Sequence, residues 1–149
     1  MSLIEIVDHE LKRKGFLKTS VSWWRERKDT VDVVQLQKSL YGNSSYINCG
    51  ICLKTKPPKS MRYGDMEIIS RADFSTSPDM EKQKLYQSGF KNFGLTLQES
   101  NDVRSALHDC FQMVFQHSES LESVASAISS GKFKKFGIKK EILDAINKL

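Results

Sequence analysis

Two of the three cysteines in this 149-residue sequence have a spacing that could do chemistry. Cys49 and Cys52 form a C-x-x-C motif, which brings two sulfurs together for electron exchange or metal binding when it lies on a helix start or a tight turn. Here the motif lies in a run of alternating polar and apolar residues, a pattern typical of a strand. Because an offset of three residues directs strand side chains to opposite faces, we predict Cys49 in the core and Cys52 on the polar face.

The three histidines offer no ready catalytic pair. His9 follows an aspartate and His108 precedes one, but neighbouring helical side chains point about 100° apart, so neither pair forms a dyad by itself. We interpret these two and His117 as ordinary helix-surface residues. The sequence also contains no G-x-S-x-G, H-E-x-x-H, Walker or Rossmann signature. We therefore expect no metal site, no cofactor and no catalytic residue, and we favour a non-enzymatic role.

A basic run near the C-terminus, Lys132–Lys140, interleaves lysines with aromatic residues. Such a mixture can contact a phosphate backbone and stack on bases, which makes nucleic-acid binding an alternative function. A loop between two helices also needs solvated lysines, and Phe133 or Phe136 could simply close the core. Lysine in addition lacks the bidentate geometry of arginine. The sequence leaves both interpretations open.

The most promising set of polar residues lies on and around one hairpin, Val31–Leu53. Both of its arms alternate with period two, which is typical of half-buried antiparallel strands. One face of the hairpin is apolar, and the other carries amides and a phenol that suit a peptide, a carboxylate or a phosphate. Cross-strand hydrogen bonding is the alternative use of such side chains. With neighbours expected at the border of this face, the predicted binding residues are Trp24, Arg25, Gln35, Gln37, Tyr46, Asn48 and Arg71.

The elements that must position these residues follow from periodicity and punctuation. The sequence predicts a helix over Ser2–Lys14, a strand over Ser20–Arg27, the hairpin with its turn at Tyr41–Ser44, a loop over Lys54–Gly64, a strand over Asp65–Phe74, an irregular segment over Ser75–Gly89, a short strand over Phe90–Leu97, and closing helices from Ser100 or Asn101 to His117, from Ser118 to Gly131 and from Ile138 to Leu149.

This order predicts a single α+β domain, 1–149, with an N-terminal helix, an antiparallel sheet of four to five strands, and C-terminal helices packed on one face. The polar face of the sheet would be partly exposed. No apolar run approaches the roughly 18 residues of a membrane span, and the N-terminus lacks the charge order of a secretory signal. The sparse, odd cysteine count fits a reducing compartment, so we expect a cytoplasmic protein.

The hairpin and its flanks resemble an uncharacterised bacterial family, domain of unknown function 4304. The resemblance is carried by Gly15-Phe16, Trp24-Arg25, the run Val33–Ser39, Tyr46-Ile47-Asn48 with Gly50-Ile51, and Ile68–Arg71, with a looser likeness in the closing helices. It supports the fold outline and implies no catalytic residue, because no activity is established for the family.

We therefore expect a binding or interaction domain that uses the polar sheet face. Its partner would be a protein or a small polar or anionic ligand, with no membrane involved. Nucleic-acid binding through Lys132–Lys140 is the alternative, and the modest net charge of +5 favours neither. An enzyme of small molecules, centred on Arg25, Arg71 and a histidine, has the least support.

Overall fold

The computed structural model describes residues 1–40, 42–54, 66, 68–71 and 79–149. In chain order the elements are α1 (Leu3–Arg13), β1 (Leu17–Thr19), β2 (Ser22–Glu26), β3 (Thr30–Lys38), β4 (Ser44–Leu53), β5 (Ile68–Arg71), α2 (Met80–Gln87), β6 (Phe90–Lys91), α3 (Leu97–Met113), a 3₁₀ helix (Phe115–His117), α4 (Leu121–Ser129), β7 (Gly137–Ile138) and α5 (Lys140–Asn147).

The strands form one antiparallel sheet in the order β1-β2-β3-β4-β5-β7, and β6 pairs with the start of β4. The predicted hairpin is the centre of this sheet. Nine residues of β3 pair with β4, from Thr30 opposite Leu53 to Lys38 opposite Ser45. The first five strands have three or more residues, whereas β6 and β7 have two each. The predicted α+β class is confirmed.

Two strand boundaries differ from the prediction. The strand predicted over Ser20–Arg27 begins at Ser22, because the chain reverses at Ser20 and Val21 and pairs Thr19 with Ser22. Ser20 has a φ of 57°, the left-handed conformation that tight hairpin turns require. The strand predicted over Phe90–Leu97 contains only β6, because the chain bends at Asn92 and Phe93, before the positive φ of 67° at Gly94.

The helices also refine the prediction. The capping box of α1 between Ser2 and Glu5 is present as expected. However, α3 begins at Leu97 rather than beside Ser100 or Asn101, because Thr96 and Glu99 form a capping box of their own. The segment predicted to be irregular contains α2, whose eight residues follow the last proline and include no helix breaker.

The main core lies between the helices and the apolar face of the sheet. Cys49 and Ile51 of β4 belong to it, with Leu11 of α1 and Leu107 of α3. Cys52 lies instead in a second buried cluster on the opposite face, with Val31, Val33 and Met66. The predicted separation of Cys49 from Cys52 is therefore confirmed, but Cys52 is enclosed by apolar neighbours.

Met66 closes one end of this opposite face. A Cβ added to Gly50 would lie 2.5 Å from the Met66 sulfur and 2.3 Å from the backbone oxygen of Ile68, so only glycine fits there. The face is therefore covered around Gly50, and its polar residues lie towards the other end of the hairpin. We use the name open face for this whole second face of the sheet, which lies opposite the main core and carries Gln35, Gln37, Tyr46 and Asn48.

A buried charge cluster ties the sheet to the C-terminal helices on the core side. Asp32 of β3 is fully buried and accepts hydrogen bonds from Arg25 Nη2 at 2.7 Å and Arg27 Nη1 at 3.3 Å. Its other oxygen accepts from the hydroxyl of Ser118, while Thr30 Oγ1 donates to the Ser118 backbone oxygen at 2.6 Å. Burial raises the pKa of Asp32, and the bonds from Ser118 and the arginines oppose that increase.

Parts of the predicted elements lie outside the described residues, namely Tyr41 of the turn, 55–64 of the loop, 65, 67 and 72–74 of the fourth strand, and 75–78 of the segment that follows it. In the part of the chain that the structure describes, no helix has the length and apolar character needed to cross a membrane.

Candidate functional site at the hairpin end

The structure brings most of the predicted binding residues together on the open face. Gln35 lies opposite Asn48 and Gln37 opposite Tyr46 in the pairing of β3 with β4. The Asn48 side-chain amide donates to Gln37 Oε1 at 2.9 Å. Asn48 is buried, whereas Gln37 is exposed. The predicted cross-strand hydrogen bonding therefore accounts for part of this surface and leaves Gln35 to be explained.

Arg25 does not belong to this surface. Its partner across the sheet is Asp32, on the core side, and its guanidinium lies over the rings of Phe16 and Phe111 at 4.9 and 5.5 Å. Trp24, the preceding residue, packs against the second cluster and so borders the open face. The Arg25 guanidinium, which the enzyme hypothesis requires, forms an ion pair with the buried Asp32 carboxylate.

The backbone of Arg71 pairs with Asn48 at the far side of β4. This register places the position beside the polar residues of the hairpin, as the sequence predicted. Whether Arg71 takes part in binding stays a prediction.

A cleft of about 640 Å³ opens at the turn end of the hairpin. We call it the hairpin cleft. It lies between the start of α1, the turn before β2, the last residues of β3 and the segment after β6. Its apolar lining is Ile4, Val21, Leu36 and Phe93, and its polar lining includes Gln35, Gln37, Lys38, Asn43 and Asn92. Two of the predicted binding residues, Gln35 and Gln37, therefore contribute to it.

Asn92 holds three walls of the hairpin cleft together. Its backbone N–H donates to the Asn43 oxygen at 2.9 Å, and its backbone oxygen accepts from the Leu3 N–H at 2.9 Å. Its side-chain oxygen accepts from the Ser45 hydroxyl at 2.6 Å. These bonds join the hairpin turn to the first turn of α1, so the cleft is formed before any ligand arrives.

The Gln35 side chain has an unused acceptor. Its Oε1 is buried and has no hydrogen-bond partner, and the same is true of the indole Nε1 of Trp24. Both residues belong to the open face. A buried polar group without a partner costs roughly 1–3 kcal/mol, so such groups are expected to have a reason.

Two other grooves are weaker candidates for a binding site. The groove between α1 and α3 has a volume of about 380 Å³, and both of its arginines pair with Glu10, Arg104 at 3.3 Å and Arg13 at 3.9 Å. The groove between α4 and α5 has a volume of about 410 Å³ and is lined mainly by apolar and small residues such as Ile128 and Leu143. Neither contains a predicted binding residue.

The basic run near the C-terminus has a structural explanation for its aromatic residues. Phe133 and Phe136 are both buried in the main core, and their rings lie 5.2 Å apart. They are therefore not available to stack on bases. Lys132, Lys134 and Lys135 are exposed. These lysines remain available for electrostatic contact with a phosphate backbone, which is the other part of the nucleic-acid hypothesis.

The histidines do not form a site. His9 and His108 are exposed on α1 and α3. His117 packs its ring against Phe133 at 5.8 Å, and burial together with the Lys132 charge lowers its pKa. Among the described residues, no three potential metal ligands lie together.

Asn92, Phe93 and Asp32 were not predicted from the sequence. Asp32 had a signal, because it shares its strand parity with the core residues Val34 and Leu36. An acidic residue at such a position predicts a buried partner. Asn92 had no comparable signal, since its three bonds join segments that are distant in the sequence.

The fold and cleft define the class of this protein: an α+β domain with helices on one face of an antiparallel sheet and a preformed cleft at the sheet's end. Residues 7–75 match the family model described as "Domain of unknown function (DUF4304)". The chain resembles this family, as the sequence analysis predicted. The match runs from α1 through β5, so it includes the hairpin and ends before Asn92 and Phe93. No curated protein and no solved structure matches the chain.

Proposed function

We propose that this chain is a binding domain whose hairpin cleft holds a segment of a partner polypeptide. The observation that carries the proposal is the cleft of about 640 Å³, in which exposed apolar side chains lie beside the side-chain amides of Gln35, Gln37 and Asn43. Ligand sites combine an apolar lining with a few polar groups that fix orientation, and the hairpin cleft has both.

The lining residues fit a polypeptide better than other ligands. Each peptide unit offers one N–H donor and one C=O acceptor, and the side-chain amides of Gln35, Gln37 and Asn43 can complement both. Ile4, Val21 and Phe93 are apolar and exposed at 39, 37 and 76%, so they remain available to a partner's side chains. A phosphate ligand would favour several cations, whereas Lys38 is the one cationic side chain among the described residues that line the cleft.

The same lining favours binding over catalysis. The described residues around the cleft include no histidine, aspartate, glutamate or cysteine, the side chains that most often transfer protons or attack a substrate. The hydroxyl of Ser45 donates to Asn92 and so has a structural use.

A library of random peptides displayed on phage tests the proposal. The purified full chain should enrich a set of related peptides, which are then synthesised and titrated. Phe93→Ser should lower their affinity about tenfold, because the apolar contact of an exposed ring is lost. Leu143→Ser on α5 makes a comparable change at another exposed apolar side chain and should leave affinity unchanged. Failure to enrich any peptide, or equal binding by both variants, contradicts the proposal.

A further inference from the structure

We infer that the segment held in the hairpin cleft is acidic and extended, and that it adds to the edge of β3 at Lys38. The inference rests on the proposed function and specifies its ligand. It follows from how β3 ends, from the direction of its backbone hydrogen bonds and from the charge of the cleft.

The end of β3 presents its edge to the cleft. Four consecutive residues, Gln35 to Lys38, line the cleft, although alternate residues of a strand point to opposite faces. Because the cleft touches residues of both faces of β3, together with the turn residues Gly42 and Asn43, it extends around the end of the strand and its edge. This edge is accessible at Lys38, because the last backbone bond on the β2 side runs from the Leu36 N–H to the Val21 oxygen, while β3 continues to Lys38.

The hydrogen-bond alternation directs the Lys38 backbone towards this edge. Arg27 N–H donates to the Thr30 oxygen at 2.8 Å, and Leu36 N–H donates to the Val21 oxygen at 3.0 Å, so even-numbered residues of β3 face β2. Ser39 N–H donates to the Ser44 oxygen at 3.0 Å, so odd-numbered residues face β4. In an antiparallel sheet this alternation continues along the strand, and Lys38 therefore offers its N–H and C=O beyond the end of β2.

The charge of the cleft selects an acidic partner. Lys38 is exposed, and no carboxylate of the described residues lies within ion-pair distance of its ammonium group. The described lining contains no acidic side chain that would repel an incoming carboxylate. A carboxylate beside Lys38 would form a charge-assisted contact, and the chain's net charge of +5 favours the encounter.

Together these features describe strand addition, in which main-chain bonds give affinity and alternate side chains give specificity. The partner's backbone would pair with Lys38 beyond the end of β2. Its apolar side chains would contact Val21 and Phe93. A carboxylate side chain would lie against the Lys38 ammonium group.

The test uses a fluorescein-labelled peptide in which valine alternates with glutamate, and versions with glutamine or lysine in place of glutamate. Anisotropy titration of the full chain should show the glutamate version binding about fivefold more tightly than the glutamine version. Lys38→Glu should weaken the glutamate version about tenfold and make the lysine version the tighter ligand. Lys135→Glu makes the same change in net charge on an exposed lysine outside the cleft and should preserve the original order.

A scan of backbone N-methylation on the glutamate peptide tests the strand pairing. Methylation of one central amide should abolish most of the binding, because it removes the N–H that the Lys38 oxygen accepts. Equal binding of all three versions, a flat N-methylation scan or equal effects of the two lysine variants would overturn the inference and leave the proposed function standing. Absence of binding by every version, together with a failed library selection, removes the proposed function itself. A change of oligomeric state in Lys38→Glu would instead make a second copy the occupant and also overturn the inference.

Discussion

Asp32 and Gln35 lie on opposite faces of β3 and differ in how their hydrogen-bonding capacity is used. On the core side of β3, Asp32 is fully buried, and Arg25, Arg27 and Ser118 all donate to its carboxylate. On the open face, Gln35 has a buried carbonyl oxygen with no partner at all. Two polar side chains three positions apart therefore differ in whether their hydrogen-bonding capacity is used within the chain.

This difference separates a structural polar group from a candidate binding group. The Asp32 cluster joins β3 to the segment after α3, so its bonds support the packing of helices on the sheet. The open acceptor of Gln35 supports nothing within the described residues. An unpartnered polar group lowers the stability of the fold. Proteins are expected to keep such groups mainly at functional sites.

The largest expected effect is the loss of stability in Asp32→Ala. Removing the carboxylate leaves two arginines without their buried partner, and the free energy of unfolding should fall by about 3 kcal/mol in urea titration. Glu26→Ala is the matched control, because its ion pair with Lys54 is exposed and spans 3.9 Å, so the loss should be below about 1 kcal/mol. Equal losses in the two variants would erase the distinction between a structural cluster and an ordinary surface pair.

The pH dependence of stability sharpens the same side of the comparison. Because the pKa of Asp32 is raised on folding, its contribution to stability is fully present below its unfolded pKa and is lost as pH rises through the folded pKa. Asp32→Asn cannot titrate there. The difference in unfolding free energy between the wild type and Asp32→Asn should therefore be larger at about pH 4 than at pH 7. A difference that grows towards pH 7 would mean that the arginines dominate the carboxylate's surroundings.

The smallest effect, and one of opposite sign, is expected at Gln35. Gln35→Met keeps the length of the side chain and removes the unpartnered oxygen, so stability should stay equal or rise by up to about 1 kcal/mol. Affinity for a selected peptide should fall in the same variant. Gln37→Met provides the contrast, because it removes the acceptor of the Asn48 amide and should lower stability by about 1 kcal/mol. A clear loss of stability in Gln35→Met would show that Gln35 is structural, like Asp32.

Local patterns predicted much of this fold. Period-two alternation identified the hairpin, assigned the faces of Gln35 and Asn48, and separated Cys49 from Cys52. The start of α3 was also readable, since Thr96 and Glu99 have capping-box spacing, but Ser100 and Asn101 competed as caps.

The remainder depended on tertiary structure. Trp23 and Trp24 are both plausible core residues, so the sequence could not decide which face Trp24 and Arg25 would take. The structure buries Trp23 against the main core, which places Arg25 beside it on the core side with Asp32. The cleft was out of reach for a similar reason, because Asn92 completes it through bonds to the hairpin and α1.

The attachment of the N-terminal residues has a practical consequence for protein engineering. The Leu95 N–H donates to the Met1 oxygen at 3.2 Å, and Ser2 lines the hairpin cleft. An affinity tag or fluorescent protein joined to Met1 would therefore start its linker at the mouth of the cleft and compete with any ligand. Leu149 follows α5, which is preceded by the edge strand β7 on the far side of the sheet from β2. Fusions and surface-immobilisation handles belong at that end.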